Sequence, residues 1–373
     1  MYCKKIKVRS FRNIESAEVE LSEGVNILVG ENAQGKTNLL EAFFYASVGK
    51  SFRAANTSEI IKFGENMAEI ELFWHDIGMK SDQSMLFRIF KDRRRIVEKN
   101  HVRVDRLSDI VGSFRAVLFC PEHLSLIKDG PSERRAYMDI AISRLYPMYI
   151  HALQNYNHSL KQRNALIKNA MDDRKSFDDT VELWSMQMAD AAAVISDMRA
   201  KYAKRAAEHV CTCFAEMTGE RERPELIYCG SAGLDTEEYS DRNRVRDRYI
   251  DLLMSNHQRE IYAGATLWGI HKDDLDIRIN GKSARIYASQ GQQRSLALAL
   301  KLAEGEICRE EFGDYPVFLF DDVLSELDGT RRDYLINKMS EKQVILTSCE
   351  VDFLSKINDA DIKKITVKNG IYK

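Results

Sequence analysis

The chain has 373 residues, 44% of them hydrophobic and 30% charged, which is enough apolar material for a sizeable core and room for two or three domains. A formal net charge of −2 excludes a molecule that attracts nucleic acid as a whole, so any polyanion binding must come from local patches. The longest apolar runs fall well short of the roughly 18 residues of a membrane span, and Met1-Tyr-Cys-Lys-Lys leads into a strand rather than a signal peptide, so the expectation is a cytoplasmic protein with no membrane partner.

In chain order, Ile6 and Val8, then Val19 and Leu21, alternate as strands do, and the apolar run from Val25 to Val29 feeds a glycine-rich turn. After the turn, Leu39, Leu40, Phe43, Phe44 and Val48 mark a helix with a wide apolar face that ends near Gly49. Strand texture follows at 68–74, 85–90 and 117–120. Between the last two lies the densest basic patch, with Lys91, Arg93, Arg94, Arg95, Lys99, Arg103 and Arg106 against Asp92, Glu98 and Asp105. It reads either as a phosphate-contacting surface or as a solvated hairpin edge kept from aggregating by charge.

From 131 to about 217 the texture is long helices rich in Ala, Met, Lys and Asp, and 221–247 is polar and punctuated by Gly and Pro. Strands return at 265–268 and 275–280, where Asn280-Gly281 is a hairpin-turn dipeptide. A helix is expected from 292 to about 311, and the runs 317–320 and 344–347 read as buried parallel strands. The expected fold is α/β, a head assembled from 1–123 and 263–373 with a helical lobe, 124–262, inserted between. Pro131, Pro147 and Pro224 and the lack of sustained heptads exclude a long coiled-coil arm. The seven cysteines, Cys3, Cys120, Cys211, Cys213, Cys229, Cys308 and Cys349, form no disulfide framework, and Cys211-Thr-Cys213 lacks the spacer of a zinc knuckle; they read as reduced, mostly buried thiols.

The chemistry concentrates in three segments. Gly30, Glu31, Asn32, Ala33, Gln34, Gly35, Lys36 and Thr37 fit the G-x-x-x-x-G-K-[ST] loop, and the loop lies between a strand and a helix as that motif requires. Its glycines let backbone N–H groups curl around phosphates, the helix N-terminus favours negative charge, Lys36 reaches the β and γ oxygens of ATP, and Thr37 offers a hydroxyl to Mg²⁺; Asn38 follows directly. Asp321 and Asp322 end the apolar run 317–320 as a Walker B pair, Asp321 to hold Mg²⁺ through water and Asp322 to polarise the attacking water. Ser289-Gln-Gly291-Gln292-Gln293-Arg294 opens a helix some 28 residues before Walker B, with Ser289 near an N-cap and Gly291 permitting close backbone approach. A self-contained P-loop enzyme needs no second anion site, so this one implies ATP sandwiched between two copies.

The order of Ser289 to Arg294, Walker B and Ser325-Glu-Leu-Asp328 resembles the signature, Walker B and D-loop of ABC-type ATPases. Phe11-Arg12-Asn13, Phe119-Cys-Pro-Glu-His, Gly130-Pro-Ser-Glu-Arg-Arg135, Gly269-Ile-His-Lys-Asp-Asp274 and Asp321-Asp-Val-Leu-Ser-Glu-Leu-Asp328 extend the likeness over nearly the whole chain, to the SMC-like RecF family of bacterial recombination mediators. That resemblance implies an ABC/SMC-type ATPase head with a P-loop, an ATP-dependent homodimer with slow hydrolysis, sequence-independent binding of gapped, single-stranded or duplex DNA, and partners RecR and RecO in recombinase loading. It implies that Arg12 and Asn13 lie by the nucleotide, Arg12 touching phosphate or ribose, and that Asp328 organises the dimer seam.

The sequence also departs from pattern. Thr347 and Ser348 stand where ABC proteins carry a switch histidine, and Cys349-Glu350 follow. Ile270 and Lys272 replace an expected proline and arginine, and 119–124 offers Glu122 and His123 where a Q-loop glutamine would stand. His271 with Asp273 and Asp274 reads as a metal or catalytic cluster or, in the absence of further ligands, as a structural or interface group. Candidate DNA contacts are the 91–106 patch, Arg134 with Arg135, and Lys161 with Arg163. Rival functions are the nucleotide-binding subunit of a transporter, a P-loop nuclease or helicase, and a regulatory module with a degenerate site.

Overall fold

Alternation at Ile6 and Val8, with a register shift between Cys3 and Lys5 that turns Cys3 inward too, makes Tyr2–Phe11 (β1) a strand with one buried face. It turns tightly through Arg12, in the left-handed region at φ 54°, into Ile14–Glu20 (β2). Val25–Val29 (β3) leads through the glycine-rich loop into Lys36–Val48 (α1), which Gly49 terminates at φ 70°. Met67–Asp76 (β4), Ser81–Phe90 (β5), Ile96–Lys99 (β6) and Val102–Val104 (β7) complete an antiparallel sheet of order β2-β1-β4-β5-β6-β7, and Ala116–Phe119 (β8) follows. The structure, a computed structural model, describes residues 1–219, 222–349 and 362–373. It divides into two compact units, one of Met1–Leu124 with 213–219, 294–349 and 362–373, the other of Ser125–Thr212 and Glu222–Gln293.

The second unit contains Ser125–Lys128 (α2), Pro131–Leu145 (α3), Pro147–Asn169 (α4) and most of Arg174–Thr218 (α5). Pro131 and Pro147 sit in the first turns of their helices, where a missing N–H costs nothing. Pro224–Cys229 (β9), Arg242–Ser255 (α6), His257–Ala263 (α7), Asp274–Ile279 (β10), Lys282–Ser283 (β11) and Ala284–Tyr287 (α8) complete the unit. Two buried guanidinium groups stitch it. Arg163 donates to Ser185, Thr266 Oγ1, the Leu253 carbonyl and Glu260, and Arg199 to Tyr149, the Ile270 carbonyl, Asp273 and Asp139. Giving each nitrogen of a buried arginine a partner ties several helices to one geometry.

Two sequence expectations change here. Residues 265–268 form no strand, because their backbone is satisfied by side chains: Thr266 N donates to Asn164 Oδ1 and Leu267 N to Glu260 Oε1. The second unit also extends to Gln293 rather than 262, because β10 pairs antiparallel along its length with β9. β9 itself lies in the polar stretch where no strand was expected, its Leu226 and Tyr228 turned inward.

The chain returns to the first unit along Gln290–Phe312 (α9), then Val317–Phe320 (β12), Val323–Glu326 (α10), Gly329–Lys338 (α11), Val344–Ser348 (β13), Ile362–Lys368 (β14) and Ile371–Tyr372 (β15). The second sheet runs β15-β14-β3-β13-β12-β8, parallel apart from β15, as the uninterrupted apolar runs require. Parallel strands place β3, β13 and β12 with their C-terminal ends at one edge, where α/β folds hold their ligands. α1 is apolar nearly all round, and Leu39, Leu40, Phe43, Phe44 and Tyr45 join one core with residues of both sheets. Phe43→Ala is expected to cost about 3–5 kcal/mol of stability, read as a fall in Tm; a variant melting with the parent would show that α1 is not the centre of this core.

Candidate nucleotide-binding site

The glycine-rich loop is shaped by what surrounds it. Gly35 holds φ 115°, a conformation that L side chains rarely adopt, and a Cβ there would also press on Asn13 and Tyr372. A Cβ on Gly30 would collide with the Val367 carbonyl of β14. The loop therefore delivers the first turn of α1 close-packed, with the unsatisfied N–H groups and the positive end of the helix dipole at the strand edge, a setting for an anion. Lys36 lies folded back, its ammonium donating to the carbonyls of Gly30 and, at 3.0 Å, Glu31, and lying 3.2 Å from Cys349 Sγ.

Asp321 Oδ1 accepts two hydroxyls, from Thr37 and Thr347, each at 2.8 Å. The two residues expected on Mg²⁺, Thr37 and Asp321, are thus in direct contact. Thr347 Oγ1 in turn accepts the Asp322 N–H at 2.8 Å, so this residue touches both the Asp321 carboxylate and the Asp322 backbone. Asp322 sits at φ 50° and opens α10, where Ser325 Oγ donates to its carbonyl. Burial pushes the Asp321 carboxyl above its usual 3.8, against the two hydroxyls that favour the anion. Cys349 Sγ reaches Asn32 Oδ1 at 3.0 Å, and Glu350 lies outside the described residues.

Beside the loop an open cleft of about 740 Å³ is lined by Arg12, Asn13, Asn38, Glu59, Ile61 and the fully exposed Phe63. Asn38 donates to Asn13 Oδ1 at 2.7 Å, and Arg53 donates to Asn38 Oδ1 at 3.3 Å. Arg53 also acts electrostatically on Asp321; sequence reading passed over it because an arginine in a loop after a helix carries no spacing signal. Arg12 lines the same cleft. Its guanidinium forks onto the fully buried Glu41, at 2.9 and 2.7 Å, and donates to the Glu59 carbonyl, because a buried carboxylate demands a counter-ion. The Arg12 guanidinium is thus held at the wall of the cleft.

Ser289, Gly291 and Gln292 belong to the second unit. Ser289 and Gln292 form a reciprocal capping pair: Ser289 N donates to Gln292 Oε1 at 2.6 Å and Gln292 N to Ser289 Oγ at 3.3 Å. Just before them Ile286 and Tyr287 are large, apolar and exposed. In the first unit Asp328 caps α11 through the Arg331 N–H, Arg331 donates to Ser295, and Arg294 pairs with Glu326, so the start of α9 is joined to the D-loop.

The remaining candidates resolve as structural. His271 is hydrogen-bonded to Tyr156 and faces the Thr266 carbonyl, with its pKa lowered to about 4 by burial; Asp273 holds Arg199 and Tyr228, Asp274 pairs with Arg134, and among the described residues no cluster of three or more acid, His or Cys groups could hold a metal. Glu122 is exposed and His123 accepts from the Cys120 N–H. Arg134 and Arg163 are buried in ion pairs, which withdraws those two as phosphate contacts, while the half-buried Arg135 donates to the Asp273 carbonyl. In the 91–106 patch, Arg95 is tied to Tyr45 and the Gly49 carbonyl and Lys99 to Ser113, whereas Lys91, Arg93, Arg94, Arg103 and Arg106 are exposed around the sheet-edge hairpin β6–β7. The cysteines are all free, with Cys3, Cys120, Cys213 and Cys308 buried and Cys211, Cys229 and Cys349 exposed.

Residues 2–373 match the family described as RecF/RecN/SMC N terminal domain. The DNA replication and repair protein RecF of Clostridium novyi (strain NT) is 34% identical over 370 residues, 99% of each chain. The solved structure of the recombination mediator protein RecF-ATP in the RecFOR pathway superposes with a TM-score of 0.91 at 34% identity, covering all of this chain and 97% of that one. An Smc head domain of Pyrococcus furiosus, 17% identical with a TM-score of 0.58 and 100% and 95% coverage, shares the fold. The fold is that of an ABC/SMC-type ATPase head.

The raised Asp321 pKa has a consequence for stability. Between 3.8 and the raised value the folded chain holds the proton that the unfolded chain has lost, so stability falls as pH climbs through that window and stays lower at neutrality. Asp321→Asn keeps an acceptor for both threonines and removes the buried charge. Without nucleotide at pH 7 its Tm should exceed the parent's in thermal melts, and a Tm at or below the parent's would show that the buried charge carries no such cost.

Proposed function

Because the chain belongs to the RecF/RecN/SMC N terminal domain family, we propose that it is an ATP-dependent DNA-binding protein of recombinational repair and replication-fork maintenance. The relatives are replication and repair proteins, which sets aside the transporter-subunit reading. The observation that carries the proposal is the contact of Thr37 with Asp321, which joins the phosphate loop to Walker B inside one unit, while the Ser289 motif caps a helix in the other.

In this reading ATP phosphates lie on the N–H groups of residues 32–37, and Lys36 swings from the loop carbonyls to the β and γ oxygens. The nucleoside occupies the cleft of Asn13, Asn38 and Phe63, Phe63 offering its ring to the base. Thr37 Oγ1 and the Asp321 carboxylate, an all-oxygen pair, fit a hard divalent cation, and Mg²⁺ there supplies charge neutralisation at the phosphates. Asp322 orients the attacking water. Ser289, Gly291 and Gln292 act on the nucleotide of a second copy, which would also cover Ile286 and Tyr287, and Asp328 lies at that seam. ATP then selects the dimer because only the dimer offers both contacts. With Thr347 in place of a switch histidine, hydrolysis is slow and works as a timer.

DNA is held through its backbone by the exposed Lys91, Arg93, Arg94, Arg103 and Arg106, without sequence preference and with salt-sensitive affinity, on gapped, single-stranded or duplex substrates. RecR and RecO are the expected partners, since the similar ATP-bound structure belongs to the RecFOR pathway, and the setting is cytoplasmic.

With ATP, the parent chain should sediment as a dimer, whereas Lys36→Arg and Ser289→Arg should remain monomeric. If both variants dimerise like the parent, the nucleotide sandwich is wrong.

A further inference from the structure

The hairpin formed by β14 and β15 touches the phosphate loop at several points, none of them anticipated from the motif. Tyr372 OH donates to the Gly35 carbonyl at 2.9 Å, Gly370 N to the Gln34 carbonyl at 2.9 Å, and Asn369 N to Gln34 Oε1 at 2.6 Å. The turn that makes this possible is Asn369-Gly370, both at positive φ, 51° and 75°. A Cβ on Gly370 would stand 3.0 Å from the Asn13 carbonyl, so the turn is fitted between the loop and the β1–β2 corner. β14 is also the neighbour of β3, and its Val367 carbonyl closes off Gly30 from a side chain.

Every one of these bonds is accepted by an oxygen of the loop. A grip on the acceptors does not compete with an anion for the loop's N–H donors; it fixes the peptide planes whose far sides carry those donors. We infer that the β14–β15 hairpin, through Tyr372 and the Asn369-Gly370 turn, is a positioning element that holds the phosphate loop in its ligand-ready shape before nucleotide arrives. Tyr372 is the positioning residue; it touches no phosphate in this scheme and acts through Gly35. A loop that is already ordered loses less conformational freedom on binding, so removing the hydroxyl weakens affinity without removing a ligand contact.

The inference rests on the reading of Gly30 to Thr37 as an ATP site, and two measurements separate them. In ATP titrations Tyr372→Phe should bind roughly fivefold more weakly than the parent, the effect of losing about one hydrogen bond, with an unchanged Tm in the absence of nucleotide. Ile371→Ala, at an exposed position on the same hairpin, should bind as the parent does. Equal ATP affinity of the parent and Tyr372→Phe overturns the brace, as does a weakened affinity accompanied by an equally lowered Tm in Ile371→Ala and Tyr372→Phe, which marks a general role in folding. If the parent itself does not bind ATP, the reading of the site falls, and amide exchange without nucleotide still decides the brace: faster exchange across 30–40 in Tyr372→Phe with unchanged global protection upholds it, and identical exchange overturns it.

Discussion

One buried carboxylate oxygen, Oδ1 of Asp321, accepts hydroxyls from Thr37 and Thr347, and the candidate site depends on that shared acceptor. Thr37 begins the helix after β3, Asp321 ends β12, and Thr347 belongs to β13, the strand between them. The parallel register fixes where these three residues emerge, and the two hydrogen bonds then lock the phosphate loop, the Walker B acid and the C-terminal end of β13 into one constellation. The arrangement carries a cost, since an acid held away from water is pushed toward its neutral form. In the proposed function a divalent cation at Asp321 would offset that cost, so the group that weakens the empty protein would favour the loaded one.

Much of this was legible in the residues because it rests on local signals. An apolar run, a glycine-rich turn and an amphipathic stretch identify β3, the loop and α1 without tertiary information, and two more apolar runs identify β12 and β13. What escaped depends on partners far along the chain. β9 hides in a polar segment because only Leu226 and Tyr228 need to be apolar when one face of the strand is solvated. Residues 265–268 look like a strand but spend their backbone donors on Asn164 and Glu260. Arg134 and Arg163 read as surface cations until Asp274 and Glu260 are seen beside them, and nothing local pairs Arg12 with Glu41. Asn369-Gly370 carried the same turn signal as Asn280-Gly281, yet nothing in one dimension says that this turn lands on Gln34.

The two units use charge differently. In the second, arginines are drawn inside and satisfied by acids, tyrosines and carbonyls, which fixes helix positions and leaves fewer cations for a polyanion. In the first, the β6–β7 hairpin keeps several cations exposed at the end of the antiparallel sheet. A hairpin protected from edge pairing by charge and a surface for phosphate backbones are compatible uses of the same residues. The proposed function therefore places ATP and DNA on the same unit and gives the second unit the capped helix that completes the nucleotide site of another copy.

The central claim is that hydrolysis requires two chains, because the loop that binds ATP and the serine motif that completes its site come from different copies. The most direct test is the steady-state rate of ATP hydrolysis per chain, at saturating ATP and Mg²⁺, across a wide range of protein concentration. The account predicts a rate per chain that rises with concentration and levels off where the dimer saturates. A rate per chain that stays constant down to concentrations at which the protein sediments as a monomer in ATP would contradict it.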